Sequence, residues 1–323
     1  MVQKSSIEEA LPRSIEPAEY GALRATAGRW IDIASRLAAR HGLDTARTRP
    51  VMEGSNLVAL LGDHSVIKIF PPFMRHQYES ERLVLPHLGR RLRVAVPELV
   101  AEGELSGWSY LIMTQLEGPR LLDVWPTCSH DEQREILRFL GQLVAEVQAV
   151  PCEPLSGLAP DWNEFIAQQT RGCAAHHERL GFPLWSQIDP YLQRTASALP
   201  TSFRPVLLTG EYTPDNVLVS RRGGAWQISA LIDFGDAMVG FAEYDLLGPS
   251  TFLAGGHAEL VSALLDGFGY GDLSSQIGLG ERLMRMALLH RFSDFRAQVC
   301  IPGWQERVRT LDELRRLLWP IDA

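Results

Sequence analysis

The 323-residue chain contains no apolar stretch approaching the roughly 18 residues that a membrane-spanning helix requires. Its opening residues, Met-Val-Gln-Lys-Ser-Ser-Ile-Glu-Glu-Ala, carry no apolar signal core. Cysteine is scarce: Cys128, Cys152, Cys173 and Cys300 lie far apart, and no pair has CxxC spacing. That argues against a zinc site or a dithiol redox motif and fits four free thiols in a reducing compartment. There is no basic excess either. Lys and Arg number 31 against 39 Asp and Glu, giving a net charge of -8. A nucleic-acid binder usually shows a basic face, so that class is set aside. The acidic balance permits a cationic ligand, although a solvated acidic surface produces the same balance. A full GxGxxG pattern, internal repeats and low-complexity tracts are also missing. What remains is a cytoplasmic globular protein with no nucleic-acid or membrane partner. With 46% hydrophobic and 22% charged residues it can build a sizeable core. Its length suggests two domains, or one domain with two lobes.

Residues 1–50 read as helical, with Trp30, Ile31, Ile33, Ala34 and Leu37 at helical spacing. This segment either caps the first lobe or docks on a neighbour. The texture then changes. Leu57-Val58-Ala59-Leu60-Leu61, a turn at Gly62-Asp63-His64-Ser65 and the β-branched run Ser65 to Phe70 predict a β-hairpin. His76 to Leu88 reads as a helix that Pro86 should end or kink. Val94 to Pro97 and Ser109 to Thr114 read as further strands. After Gly118-Pro119 the pattern becomes helical, with Ile136, Leu140, Leu143, Val144 and Val147 in register and Ser129-His130-Asp131 offering caps. Strands are expected at Val206 to Leu208, Val217 to Val219 and Ile228 to Ile232, then helix from Tyr244.

Two segments carry the chemistry. Thr209-Gly210-Glu211-Tyr212-Thr213-Pro214-Asp215-Asn216 places an acid and, five residues later, an Asn in a polar loop between short strands. Leu231-Ile232-Asp233-Phe234-Gly235-Asp236 then places an Asp at a strand end. Phosphoryl transfer needs such a set: a carboxylate to orient a hydroxyl, and an Asn and an Asp to hold magnesium on phosphates.

On these residues the chain resembles the aminoglycoside phosphotransferase and choline kinase superfamily. That family's loop reads His-Gly-Asp, then His-Pro, then Asn, followed by Ile-Asp-Trp/Phe. Ile232 to Ala237, Gly240 and Tyr244-Asp245-Leu246 match its second motif, and the likeness covers roughly residues 50 to 300. In the order and texture of its segments the chain is nearest to the hygromycin-B-kinase-like branch. The resemblance implies an α+β, two-lobed protein-kinase-like fold. Its N-lobe is a small antiparallel sheet with one key helix, and its C-lobe is larger and mainly helical. The expected division is a helical extension over 1–50, an N-lobe over 51–116 and a C-lobe over 117–323. Carried over, Asn216 and Asp233 are magnesium ligands, and Asp245 is an acid that pins the catalytic loop. Glu211 stands where the family has its catalytic Asp, and Thr209 where it has His. Glu is one methylene longer, so either the loop compensates or the chain is slow or a nucleotide-binding pseudokinase.

Further site residues lie outside these two motifs. Lys68 lies within the apolar strand Val66-Ile67-Lys68-Ile69 and is costly to bury unpaired, so it fits the strand Lys that grips the α- and β-phosphates. Its expected partner is Glu81, which precedes Val84, Leu85 and Leu88 on the helix, with Glu79 as the alternative. Gly54, Ser55 and Asn56 form the expected phosphate-covering turn, through backbone N–H groups. Gln115 and Leu116 fall where a hinge would bond the adenine edge. The acceptor pocket is expected over 155–195 and 250–300, with His290 and Asp294 singled out because they interrupt an apolar helical run. Together these imply an ATP- or GTP- and magnesium-dependent kinase of a small cationic amino sugar, hygromycin B among the candidates. A choline, amino-acid or macrolide acceptor is the alternative.

Overall fold

The computed structural model describes residues 11–321. By contacts the chain divides into two compact units. One holds the chain up to Arg90, then Ala95–Glu117 and Ile232–Asp236; the other holds Arg91–Val94, Gly118–Leu231 and the chain from Ala237. These boundaries differ from the expected ones at Arg91–Val94, which falls in the second unit, and at Ile232–Asp236, which falls in the first, where Asp233 bonds to Lys68, Asp236 to Gln77 and the Phe234 N–H to Glu81.

The first unit is built on a five-stranded antiparallel sheet in the order β1 (Arg49–Val51), β2 (Leu57–Leu61), β3 (Ser65–Phe70), β5 (Trp108–Thr114), β4 (Leu99–Leu105). The predicted hairpin is present, with Val58 opposite Lys68 and Leu61 opposite Ser65. Alternation along β3 sends Ile67 and Ile69 to one face of the sheet and Lys68 to the other. On the first face Leu57, Ala59, Ile67, Ile69, Trp108 and Ile112 form one core with Leu23, Trp30, Ile33 and Leu37 of two helices, Pro17–Arg24 and Ile31–Arg40. The N-terminal segment therefore caps its own sheet; the part of that helical expectation falling on residues 1–10 lies outside the described residues. It also reaches the turn before β2: the Tyr20 hydroxyl donates to the Ser55 carbonyl at 2.8 Å, and Arg24 Nη1 donates to the Met52 carbonyl at 2.9 Å.

The opposite face packs on the helix Arg75–Leu88. Its buried residues Gln77, Tyr78, Ser80, Glu81, Val84, Leu85 and Leu88 recur at helical intervals. Pro86 does not end it. The proline stands in the last turn, and Gly89 closes the helix by donating its N–H to the Leu85 carbonyl at 3.0 Å. The strand expected at Val94 to Pro97 does not form. Pro97 has no N–H to give a ladder, and pairing instead begins at Leu99, where β4 alternates half-buried and exposed positions.

The second unit is mainly helical. Its longest helix, His130–Gln148, starts in a reciprocal capping box between Ser129 and Glu132. It packs on Ala258–Phe268 so closely that a Cβ on Gly141 would lie 2.1 Å from the Leu264 carbonyl oxygen, and one on Gly267 2.0 Å from that of Arg138. Two small ladders position the loop between them. β6 (Val206–Leu208) pairs with β9 (Met238–Gly240), and β7 (Val217–Arg222) pairs with β8 (Ala225–Leu231). The β7–β8 turn takes Gly223 and Gly224 at φ of 60° and 89°, the left-handed pair that a two-residue hairpin demands.

Candidate active site

In the first unit, three charges from distant parts of the sequence meet. Lys68 Nζ lies 2.9 Å from Glu81 Oε2 and 2.7 Å from Asp233 Oδ1. The Lys68 and Glu81 side chains are 6% and 1% exposed, whereas Asp233 is 35% exposed. Burial alone would lower the Lys68 ammonium, but the adjacent charges of Asp233 and Glu81 outweigh it and hold the lysine protonated, above its ordinary value. Burial pushes the Glu81 carboxyl up, against the attraction of Lys68. At Asp233 burial also acts upward, yet Lys68 and the Gly235 N–H dominate and the carboxyl lies below its usual range. Asp233 has φ +64°, a left-handed conformation that a non-glycine residue adopts only when its surroundings enforce it. Glu81 supplies part of that by accepting the Phe234 N–H at 3.3 Å, and Asp233 Oδ1 accepts the Gly235 N–H at 3.2 Å. With Oδ1 engaged, Oδ2 is the oxygen left for a ligand.

The turn before β2 has Gly54 at φ +82°. Asn56 turns inward, 3% exposed, and donates its Nδ2 to Gln77 Oε1 at 3.0 Å. A ligand at this turn would therefore meet backbone groups and Ser55, not the Asn56 side chain. At the end of β5 the Gln115 N–H donates to the His64 carbonyl at 2.8 Å. The Gln115 carbonyl and the Leu116 N–H remain as the groups suited to an adenine edge.

In the second unit, the loop after β6 is held from beneath by Asp245. Its carboxylate accepts the Thr209 N–H at 2.8 Å and the Gly210 N–H at 3.0 Å. Burial pushes this carboxyl up to about 7, against those hydrogen bonds. Further along, Asn216 Nδ2 donates to the Glu211 carbonyl at 3.2 Å, and the Asn216 N–H to that of Thr213 at 3.0 Å. The donor end of the Asn216 amide is thereby committed and its oxygen is the group offered to a cation. Arg120 Nη1 pairs with Asp215 at 2.9 Å, and the Leu122 N–H reaches the Pro214 carbonyl at 3.0 Å. The loop is thus fixed from both sides.

Glu211 borders a cavity of about 140 Å³ whose walls include Tyr212, Tyr244, Phe252, His290, Phe292 and Asp294. His290 stacks on Tyr244 with centroids 4.4 Å apart, accepts the Phe292 N–H at Nδ1, and bonds the Gly210 carbonyl. Burial, aided by Arg291, drives this imidazole down to about 3, so it is neutral. Asp294 caps the turn of helix Phe295–Gln298 by accepting the Arg296 N–H at 3.0 Å.

The first unit therefore gathers Lys68, Glu81 and Asp233, and carries Gly54, Ser55, Asn56, Gln115 and Leu116. The second gathers Glu211, Asn216, His290 and Asp294. Glu79, the alternative partner of Lys68, pairs with Arg75 instead. Sequence reasoning missed Gln77, because a glutamine on a helix gives no sign of burial until its distant partners are known.

A family model described as "Phosphotransferase enzyme family" matches residues 26–278. Among solved structures, the GDP and kanamycin complex of APH(2")-IIia aligns with a TM-score of 0.66 at 18% identity, covering 89% of this chain and 98% of that one. The streptomycin-ATP-APH(2")-IIa ternary complex aligns at 0.56 and 14% identity, covering 79% and 89%. Macrolide 2'-phosphotransferase MphH from Brachybacterium faecium aligns at 0.50 and 20% identity, covering 81% and 99%. At these identities the likeness is one of fold.

Proposed function

The chain belongs to the phosphotransferase enzyme family, and from that premise we propose that it transfers the terminal phosphate of ATP or GTP to a hydroxyl of a small cationic amino sugar, with magnesium. The observation that carries this reading is the Lys68–Glu81–Asp233 cluster: a buried ammonium held charged by two carboxylates, one of them a third exposed. Lys68 grips the nucleotide phosphates and Glu81 keeps it in place. The turn of Gly54, Ser55 and Asn56 covers the phosphates with its backbone, and Gln115 and Leu116 bond the base. Nucleotides accompany the similar folds: GDP in one complex and ATP in another.

The available oxygens of Asp233 and Asn216 are hard donors of the type magnesium prefers. Each is proposed as a ligand, and a bound magnesium ion would offset the charge of the phosphates. Glu211 orients the acceptor hydroxyl and takes its proton as the oxygen attacks phosphorus and the nucleoside diphosphate leaves. His290 and Asp294 shape the acceptor side. Kanamycin and streptomycin occupy complexes of the similar folds, and the Glu211 and Asp294 carboxylates, which line the cavity together with Asp245, suit an ammonium-bearing acceptor.

Glutamate at 211, in place of the shorter aspartate, favours one second reading, a nucleotide-binding protein without transfer. Single-turnover assays with MgATP or MgGTP separate the two. The panel contains aminoglycosides including hygromycin B, a macrolide and choline, and phosphorylated product is followed by mass spectrometry. Phosphorylation of an aminoglycoside is expected. Nucleotide binding with no transfer to any acceptor would establish the second reading, and transfer only to a neutral compound would overturn the amino-sugar assignment.

A further inference from the structure

Among the buried polar residues of the helix Arg75–Leu88, Gln77 and Glu81 stand one turn apart, and the Lys68 ion pair accounts for only Glu81. The other is Gln77, 7% exposed, between Asn56 at 3% and Asp236 at 6%. Gln77 Oε1 accepts from Asn56 Nδ2 at 3.0 Å. Gln77 Nε2 donates to both carboxylate oxygens of Asp236, at 3.4 and 3.2 Å. A carboxylate only accepts, so Asp236 fixes which end of the amide faces it and the oxygen is turned to Asn56. Burying such a group is unfavourable unless both ends are bonded, and both are. The relay ends on an unmet acceptor, since Asn56 Oδ1 is buried without a partner.

This relay joins two segments that the proposed function uses for different tasks. Asn56 closes the turn before β2, and Asp236 lies three residues beyond Asp233. The Asp233 backbone is left-handed and needs to be held. Glu81 holds the segment at the Phe234 N–H, and Gln77, one helical turn earlier, holds it at Asp236. Between them Gly235 lies against the helix, where a Cβ would stand 3.2 Å from Gln77 Cβ. We propose that Gln77 is a positioning residue that sets the phosphate-covering turn and the Asp233 carboxylate as one unit. The inference rests on the nucleotide reading of those segments.

Gln77→Glu places a carboxylate against Asp236. Losing a hydrogen bond to a charged group should raise the Kd for magnesium nucleotide, and the magnesium concentration at half-saturation, by about tenfold or more, with acceptor KM within about twofold. Adding Asp236→Asn restores a donor facing an acceptor with the polarity reversed, while Asn56 still donates to residue 77, so the double variant should recover most of the loss. Unchanged nucleotide and magnesium dependence in Gln77→Glu, or a loss that the double variant does not recover, overturns the inference. Gln77→Met removes both bonds without adding charge and guards against a misfolded glutamate variant. Hydrogen exchange at the Phe234 and Gly235 amides, followed by NMR without nucleotide, should be about tenfold faster in Gln77→Met. Unchanged exchange overturns the inference whatever the protein binds. Faster exchange in Gln77→Met, found together with a wild-type protein that binds no nucleotide, would leave the relay standing and discard the functional reading.

Discussion

Lys68 is held by two carboxylates whose surroundings differ, so the partners are not interchangeable. Glu81 is 1% exposed and cannot be rehydrated if its cation is removed. Lys68→Met should therefore lower stability by about 3–5 kcal/mol, the usual consequence of stranding a buried charge. Lys68→Met combined with Glu81→Met replaces the pair with apolar volume and should regain most of that stability while leaving nucleotide binding abolished. Urea midpoints and nucleotide titrations check the two halves of this prediction, and a single variant that remains fully stable would show that Glu81 finds water or a proton once its cation is gone. Asp233→Ala should eliminate turnover yet disturb stability less, because Asp233 is partly exposed. The charged triad was legible in the sequence because each member stood in a local pattern: a lysine in a β-branched strand, a glutamate on the apolar edge of a helix, an aspartate ending a strand. Gln77 had no such pattern. Its partners lie 21 and 159 residues away, and only the fold turns a polar helix residue into a buried one.

Pairs of elements show the same division. The helices His130–Gln148 and Ala258–Phe268 touch through Gly141 and Gly267 at backbone-to-backbone distance. Alanine at 141 gains about 1 kcal/mol in intrinsic helix propensity. Its methyl, however, would stand 2.1 Å from the Leu264 oxygen, a backbone atom that can only yield if the helices separate. Overpacking of this kind costs about 1–3 kcal/mol or more, so Gly141→Ala should be destabilising on balance, read as a lower melting temperature. A stabilised variant would mean the helices part without loss. The apolar rhythm of His130–Gln148 announced that helix, whereas the close crossing was not visible in either segment alone. The β-sheet behaves alike. The β2–β3 hairpin was readable from its own composition, but β4 carries Glu102 and Glu104 among half-exposed positions and is a strand only because β5 pairs with it. Val94 to Pro97 had the better composition but makes only a bridge at Ala95, not a strand.

Taken over the whole molecule, acid should weaken the fold through two imidazoles, the buried His177 and the half-buried His290. Burial drives His290 down to about 3 and His177, assisted by His176, down to about 4, from an ordinary 6.5. Both are neutral in the folded chain and protonated in the unfolded chain below about pH 6.5. The stability they confer is present above that value and is lost as pH falls toward 4 and then 3. Asp245 acts oppositely: raised from 3.8 to about 7, it binds a proton in the folded chain first, and its contribution fades as pH rises through 7. Between about pH 6 and 5 the balance of these three groups is one extra proton on the unfolded chain, or about 1.4 kcal/mol of stability lost per pH unit. Melting temperatures should fall across that window in the native protein and stay nearly level in His177→Gln, whose amide can still meet Ser293, the present partner of His177 at 3.2 Å. An unaltered slope in the variant would show that His177 takes up its proton without unfolding. A different consequence comes from Tyr20 and Arg24, which hold the backbone of Ser55 and Met52 from a segment with no part in the chemistry. A protein shortened to begin at residue 26, where the family match starts, would keep every group assigned to phosphate, metal or acceptor and forfeit both anchors. Such a fragment should bind nucleotide more weakly than the full chain, and its poor activity would then report the place of the cut rather than any defect in the enzyme.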